Sequence, residues 1–471
     1  MSVVEKKQLN VCFIGHVDSG KSTAVGQLAY QLGAIDKRLI EKYKKEASDN
    51  NKSSFFLAYA TDTTAAEKER GITIQTSLIK IPTNKFTLNV LDCPGHRDFI
   101  KNMVTGAAQA DVGVVMVPAT GFEACVGETG ILKAHITISA VLGCSKLIVC
   151  VNKMDEVEEA RRESRFAEIK NEMLRIAKLY HSDKNPIIIP ISAFCNINLV
   201  ESSPRFEWFQ GWTCPKTKAV VHTLEGALDF QEEPPRMNDK PLRMPIVQKH
   251  KISGIGFVYT GRIDSGFAVP NMQVSIEPAG VVTEIKTLEI HKEARQKVYC
   301  GENCGVAFKN ATKGDFNQVK PGNVISDAKN KPVKLFRGCI AKIVVVDKKK
   351  GLAAGYTPTL DLGIMHVPVK VQFILKKKSP KDTAPVDNPE RIEQGDNAMV
   401  VLVPQKPCVM ETASDFPSLG RFALRDSNNI VCIGSITSLC SDDELEKYGV
   451  KIEKKATENQ KKVKINSISF C

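Results

Sequence analysis

Gly15-His16-Val17-Asp18-Ser19-Gly20-Lys21-Ser22-Thr23 has the spacing GxxxxGK[ST], directly after an apolar run at 9–14 and directly before a helical pattern at 21–32. In that context successive backbone N–H groups and a helix N-terminus surround phosphate oxygens. The Lys21 ammonium neutralises them, and the Ser22 hydroxyl can ligate Mg²⁺. Asp92-Cys93-Pro94-Gly95-His96 follows a second apolar run ending at Leu91. A carboxylate there can hold a water of the Mg²⁺ shell, and the Gly95 N–H can sense a terminal phosphate. Asn152-Lys153-Met154-Asp155 follows a third run ending at Val151. The Asn152 amide can address a purine's O6 and N7, the Lys153 stem can lie along the ring, and the Asp155 carboxylate can accept from a ring N1–H and an exocyclic amine. Guanine carries those two donors together and adenine does not, so this third motif selects GTP over ATP.

Two further stretches are weaker when read alone. Ser192-Ala193-Phe194 follows the run at 186–191 and offers backbone to complete a base pocket, with a plain loop as the other reading. Arg70-Gly71-Ile72-Thr73-Ile74 lies between the first two motifs. A Thr73 hydroxyl that reaches Mg²⁺ only when a γ-phosphate orders the segment makes a switch, whereas in isolation the stretch reads as the start of a strand.

The elements that must carry these groups alternate. Apolar runs at 9–14, 86–91, 112–117, 146–151 and 186–191 are separated by helical patterns such as 21–32 and 156–180, which predicts a parallel sheet covered on both faces. Residues 231–241 break the pattern with three prolines and five charges and read as a linker. Beyond it come short β-branched runs at 256–263, 272–277, 281–288, 339–346, 367–374 and 398–403, punctuated by turn residues, which predict closed all-β modules. The expected architecture is an α/β P-loop GTPase domain with a mostly parallel sheet at 1–235, followed by two all-β barrel domains at 236–332 and 333–440. A basic C-terminal tail is expected at 441–471.

Composition agrees with several packed units. The chain has 471 residues, more than one core holds at about 150 residues per domain, and 42% are hydrophobic, which excludes disorder throughout. The formal net charge of +12 favours a polyanionic partner, with solubility as its bland reading. No apolar stretch approaches the ~20 residues of a membrane span, and the first ten residues lack the apolar core of a secretory signal. The 14 cysteines are scattered without a CxxC pair, as expected of reduced thiols in a cytoplasmic protein rather than a zinc site.

The chain resembles the elongation factor 1-alpha family, translational GTPases similar to bacterial elongation factor Tu. The likeness is carried by GHVDSGKST at 15–23, EKERGITI at 67–74, DCPGHRDFIKNMVTG at 92–106, VNKMD at 151–155, ISGIGFVYTGRIDSG at 252–266 and SLGRFALRD at 418–426. The resemblance implies GTP/GDP and Mg²⁺ bound by Gly15–Ser22, Thr73, Asp92–His96, Asn152, Lys153, Asp155 and Ser192. It implies His96 as the residue that orients the attacking water, with Val17 and Ile72 as an apolar gate. Lys101 and Asn102 match contacts near the tRNA 5′ end, and Glu289 and His291 stand where the terminal adenosine and the esterified amino acid are received. Spacing alone would read those last two as strand surface. The implied activity is GTP-dependent delivery of aminoacyl-tRNA to the ribosome, with a guanine-nucleotide exchange factor as a further partner.

Three competing readings stand beside it: a termination or rescue GTPase, a structural protein binding actin-type filaments through its basic surface, and the GTPase subunit of a sulfate-activating enzyme, which the RDFIKNM and GRFALRD matches disfavour. The chain also departs from the family pattern. Ile131-Leu132-Lys133-Ala134-His135 keeps only the final His of the family's stretch, and Thr61, Thr63 and Thr64 stand where bulkier residues are common.

Overall fold

The structure, a computed structural model, describes residues 6–127, 130–253, 256–309, 314–347, 351–380 and 382–451. The first half is built on β1 (Lys7–Gly15), α1 (Lys21–Gln31), α2 (Lys37–Asp49), α3 (Ala65–Arg70), β2 (Ser77–Pro82), β3 (Phe86–Asp92), α4 (Ile100–Ala107), β4 (Val112–Pro118), α5 (Phe122–Val126), α6 (Leu132–Leu142), β5 (Lys146–Asn152), α7 (Arg162–Tyr180) and β6 (Ile187–Pro190). The sheet order is β2-β3-β1-β4-β5-β6, parallel except for the antiparallel edge pair β2–β3. Every residue of β4 is buried, which is why it reads as a continuous apolar run rather than an alternating one. One sheet face packs on α1 through Ala24, Val25 and Leu28, the other on α4, α6 and α7 through Met103, Ile136 and Ile169.

Two elements differ from the sequence expectation. β2 is an unread strand, because only Ile81 of its six residues is buried and an edge leaves a faint pattern. α7 begins at Arg162 rather than at 156, since residues 154–156 and 159–161 form separate 3₁₀ turns below the Asn152–Asp155 loop.

The second unit is a β-sheet in the spatial order Gln248–Ile252, Gly256–Arg262, Asn303–Phe308, Val281–Ile290, Gln273–Glu277, Val324–Asp327, Arg243–Pro245. The chain at 243–252 supplies both end strands of that path, so the sheet closes on itself around Tyr259, Ile276 and Val306. In the third unit Thr359–Leu362 pairs both with Arg421–Asp426 and with Met365–Lys378, closing a ring of six strands around Val371, Val400 and Phe422. Closure removes exposed strand edges.

The expected tail is corrected at its start. Ser441 and Glu444 form a reciprocal capping box on a helix at Asp442–Lys447, and its Leu445 is fully buried in a cluster with Val401 and Cys440. An apolar side chain at the fourth helical position is enough to dock the segment on the third barrel. Residues 452–471, the rest of the expected tail, lie outside the described residues.

Interfaces fix the units on one another. Ala423 and Ile430 of the third barrel join the core that holds Ile136 of α6. Arg243 of the second barrel donates to Glu411 of the third at 2.9 Å. Asp111, at the foot of β4, receives Arg236 through both carboxylate oxygens at 2.9 Å and Arg262 at 2.5 Å. Burial alone would raise the Asp111 carboxyl, but the two guanidinium groups outweigh it and hold its pKa below the ordinary value.

Candidate functional site

The C-terminal ends of β1, β3, β5 and β6 bring the motif loops to one edge of the sheet, where ligands of open parallel sheets bind. A cavity of about 500 Å³ there is lined by Val17, Asp18, Gly20–Thr23, Asp62, Ile72, Thr73, Gly95, His96, Asn152, Lys153, Asp155 and Ser192–Phe194. Gly20 caps α1 in the left-handed region at φ 85°, and a Cβ there would lie 2.2 Å from Asn152 Nδ2. Ser19 and Lys21 both donate to the His16 carbonyl, at 2.9 and 2.7 Å, which curls the loop. Gly15 follows the same logic, since its Cβ would strike the Met116 carbonyl at 2.3 Å. Burial lowers the Lys21 ammonium, so an anion would find it poorly hydrated, with donors beyond the one given to His16.

Asn152 is held by the protein at both ends of its amide. Its amide donates to Ser19 O at 2.9 Å and accepts from Ala193 N–H at 2.9 Å, so both ends are engaged by protein. It ties the phosphate loop to the Ser192–Phe194 loop while lining the cavity, and its second amide N–H remains available to a base. Asp155 and Lys153 are left facing the cavity, with the Phe194 ring, 57% exposed, alongside. A planar ligand between the Lys153 stem and that ring would present its edge to the Asp155 carboxylate.

The opposite corner is a set of hard oxygen donors. Ser22 Oγ lies 3.0 Å from Thr73 Oγ1, and Thr73 Oγ1 donates to Asp62 Oδ1 at 2.8 Å. Asp92 is fully buried, its Oδ2 accepts from Thr61 Oγ1 at 2.7 Å, and its Oδ1 has no hydrogen-bond partner. Burial raises Asp92, opposed by the nearby hydroxyls of Ser22 and Thr61. Burial, reinforced by Asp92, pushes Asp62 up to about 7. A buried carboxylate oxygen without a partner among hydroxyls and a second carboxylate is what a divalent cation would satisfy. Sequence reasoning missed Thr61 and Asp62. The run of threonines was visible, but only the fold shows that it reaches Asp92.

His96 stands at the cavity mouth with its side chain 45% exposed, and its Nδ1 accepts from Asp98 N–H at 3.2 Å. Val17 and Ile72 line the same cavity. A larger cleft of about 1350 Å³ opens between the three units and brings together Lys101, Asn102, Glu289 and His291. Within it Lys101 and Glu289 are exposed, Asn102 Nδ2 donates to Ile74 O at 2.7 Å, and His291 Nε2 lies 3.1 Å from Asn89 Oδ1.

Residues 6–230 match the family model described as "Elongation factor Tu GTP binding domain", 256–326 match "Elongation factor Tu domain 2", and 338–437 match "GTP-eEF1A C-terminal domain-like". The chain is 52% identical to elongation factor 1-alpha of Encephalitozoon cuniculi, over 97% of this chain and 98% of that one. The chain belongs to the elongation factor 1-alpha family. Another member, from Saccharomyces cerevisiae, is 42% identical over 97% of this chain and 99% of its own. Among solved structures, the Saccharomyces cerevisiae Ski7 GTPase-like domain bound to GTP superimposes with a TM-score of 0.74 at 17% identity, covering 92% of this chain and 98% of that one. Translation elongation factor SelB from Methanococcus maripaludis in complex with a GTP analogue gives 0.66 at 19% identity, covering 94% and 81%. At such identities those two show the fold alone. As a family member the chain is a GTP-binding, GTP-hydrolysing factor of translation elongation.

Proposed function

We propose that this elongation factor carries aminoacyl-tRNA to the ribosomal A site while GTP is bound and releases it when ribosome-triggered hydrolysis leaves GDP. One observation carries the coupling: the segment from Thr61 to Thr76 is a wall of both cavities. Asp62, Ile72 and Thr73 face the nucleotide site, whereas Thr61, Thr64, Gln75 and Thr76 line the interdomain cleft. A terminal phosphate that orders this segment from one side reshapes the RNA cleft from the other.

The chemistry follows from the chain's own groups. The 15–22 loop and Lys21 bind the phosphates, and Asp155 reads the guanine edge. Ser22, Thr73 and Asp92 would hold Mg²⁺, which when bound neutralises phosphate charge. His96, at the mouth and exposed, positions a water only once the ribosome turns it past Val17 and Ile72, so hydrolysis is slow in the free protein. Lys101 and Asn102 would take the tRNA 5′ end, with Glu289 and His291 taking its aminoacylated 3′ adenosine. Stacking and charge on an unpaired nucleotide end suit that set, and the +12 net charge suits the phosphate backbone. A guanine-nucleotide exchange factor would act as the further partner that releases GDP from this site. The site of action is the cytoplasm, and filament binding through the basic surface is a separate matter for co-sedimentation. Among the described residues no helix is long and apolar enough to cross a membrane.

The test is filter retention of labelled aminoacyl-tRNA. A GTP analogue should give strong retention, while GDP, or deacylated tRNA, gives little. Equal retention in every state overturns the proposal, and retention of a release-factor-like protein in place of tRNA would favour the termination reading.

A further inference from the structure

A hydroxyl that no motif accounts for reaches Asp92 from the cleft side of the nucleotide site. Thr61 follows a 3₁₀ turn at Ala58–Ala60 and is 2% exposed. Its Oγ1 sits 2.7 Å from Asp92 Oδ2 and 3.2 Å from the Ala58 carbonyl. A hydroxyl has one proton, and the shorter contact with the charged acceptor takes it. Asp92 is then held through Oδ2 from outside the phosphate loop, and Oδ1 is the oxygen left buried and without a partner. The next residue in the chain, Asp62, is tied through Thr73 to Ser22. Two consecutive residues therefore hold the two halves of the oxygen cluster, Thr61 on the Asp92 side and Asp62 on the Thr73 side.

We infer that Thr61 is a positioning residue for the nucleotide-site cation: its hydroxyl fixes the Asp92 carboxylate so that Oδ1 is presented to the shell of Mg²⁺. The inference rests on the reading of Ser22, Thr73 and Asp92 as the Mg²⁺ corner. Without the hydroxyl, Asp92 loses the 2.7 Å hydrogen bond that Oδ2 accepts from Thr61, and the Ser22 hydroxyl is left as its nearby polar neighbour. Outer partners of this kind set cation affinity as well as orientation, and their loss weakens binding by about ten- to a hundredfold. A threonine does this where a valine cannot, because the β-branched shape is kept and the donor is lost. The device also links cation affinity to the segment that lines the interdomain cleft.

The experiment measures release of a fluorescent, non-hydrolysable GTP analogue from the full chain as free Mg²⁺ is varied. In the wild type, release slows as Mg²⁺ rises and defines a half-point. Thr61→Val should move that half-point up about tenfold, and Thr61→Ser should restore it. A wild-type half-point in Thr61→Val overturns the inference, as does an equal shift in Thr61→Ser, which would assign the effect to packing. If Thr61→Val does not accumulate as folded protein, Thr61→Ala against Thr61→Ser makes the same comparison, and equal half-points in the two overturn it. Failure of the cation reading itself looks different: wild-type release would then ignore Mg²⁺ altogether.

Discussion

The His291 imidazole donates from Nε2 to the amide oxygen of Asn89 at 3.1 Å, joining the second barrel to strand β3 of the GTPase sheet. Burial, with Lys80 nearby, lowers the pKa of His291, so the ring is neutral at physiological pH. A neutral ring at the rim of the cleft, its Nε2–H engaged by Asn89, is suited to stack on a base and to accept from one through Nδ1. His291→Ala should raise the aminoacyl-tRNA concentration needed for half retention about tenfold, since a base stack is worth about 1–3 kcal/mol, and should leave GTP affinity unchanged. Unchanged tRNA retention would remove His291 from the RNA site.

Asp155 is the chain's test of base choice. Changing the carboxylate to an amide removes an acceptor that guanine's two donors require. Asp155→Asn should weaken GTP binding by about a hundredfold and strengthen binding of xanthosine triphosphate, whose 2-oxo group accepts where guanine donates. Competition between the two nucleotides for a fluorescent analogue measures the switch. A variant that keeps full preference for GTP shows that the base is read elsewhere.

Asp62 sets a pH dependence of opposite sign to an ordinary ion-paired carboxylate. Its folded pKa, raised to about 7, lies above the unfolded value near 4, so the folded state holds its proton longer. Stability is then greatest below about pH 4 on this account and declines between about pH 4 and 7 as the unfolded chain ionises first. Nucleotide-free protein in EDTA should therefore melt higher as Asp62→Asn than as wild type at pH 8, with the gap closing towards pH 4. Equal gaps at both pH values would contradict the raised pKa.

Asp111 behaves in the usual sense. Its folded pKa is held down by Arg262 and Arg236, so its contribution is fully present above about pH 4 and is lost as pH falls through the folded value. Near neutrality it is flat. Asp111→Ala leaves two largely buried guanidinium groups without their carboxylate and should cost about 3–5 kcal/mol, seen as a lower melting temperature at pH 7. A loss below 1 kcal/mol would mean that water replaces the carboxylate at this interface.

His96→Ala should bind GTP normally and retain aminoacyl-tRNA, yet lose ribosome-stimulated hydrolysis by two to three orders of magnitude, about the effect of removing one group that acts only in the transition state. Single-turnover phosphate release with programmed ribosomes is the measurement. Wild-type rates would assign water positioning to another residue.

The nucleotide chemistry was legible in the linear chain because its parts are short, local and ordered. A phosphate loop needs Gly20 and Lys21 in consecutive places, and guanine recognition needs Asp155 three residues after Asn152, so spacing alone carries those meanings. Alternation of apolar runs and helical patterns likewise determined the parallel sheet, and dense β-branched runs determined the barrels. The edge strand β2 escaped because one buried residue in six leaves no period to detect. What only the tertiary structure decided depends on contacts between residues distant along the chain. Thr61 meets Asp92 thirty-one positions on, and Asn152 spans 133 positions to Ser19, a tie between loops that no local spacing announces. Leu445 looked like part of a charged tail until the third barrel supplied the surface that buries it. Side-chain chemistry is written residue by residue, whereas its partners are chosen by packing, and packing is a property of the whole fold.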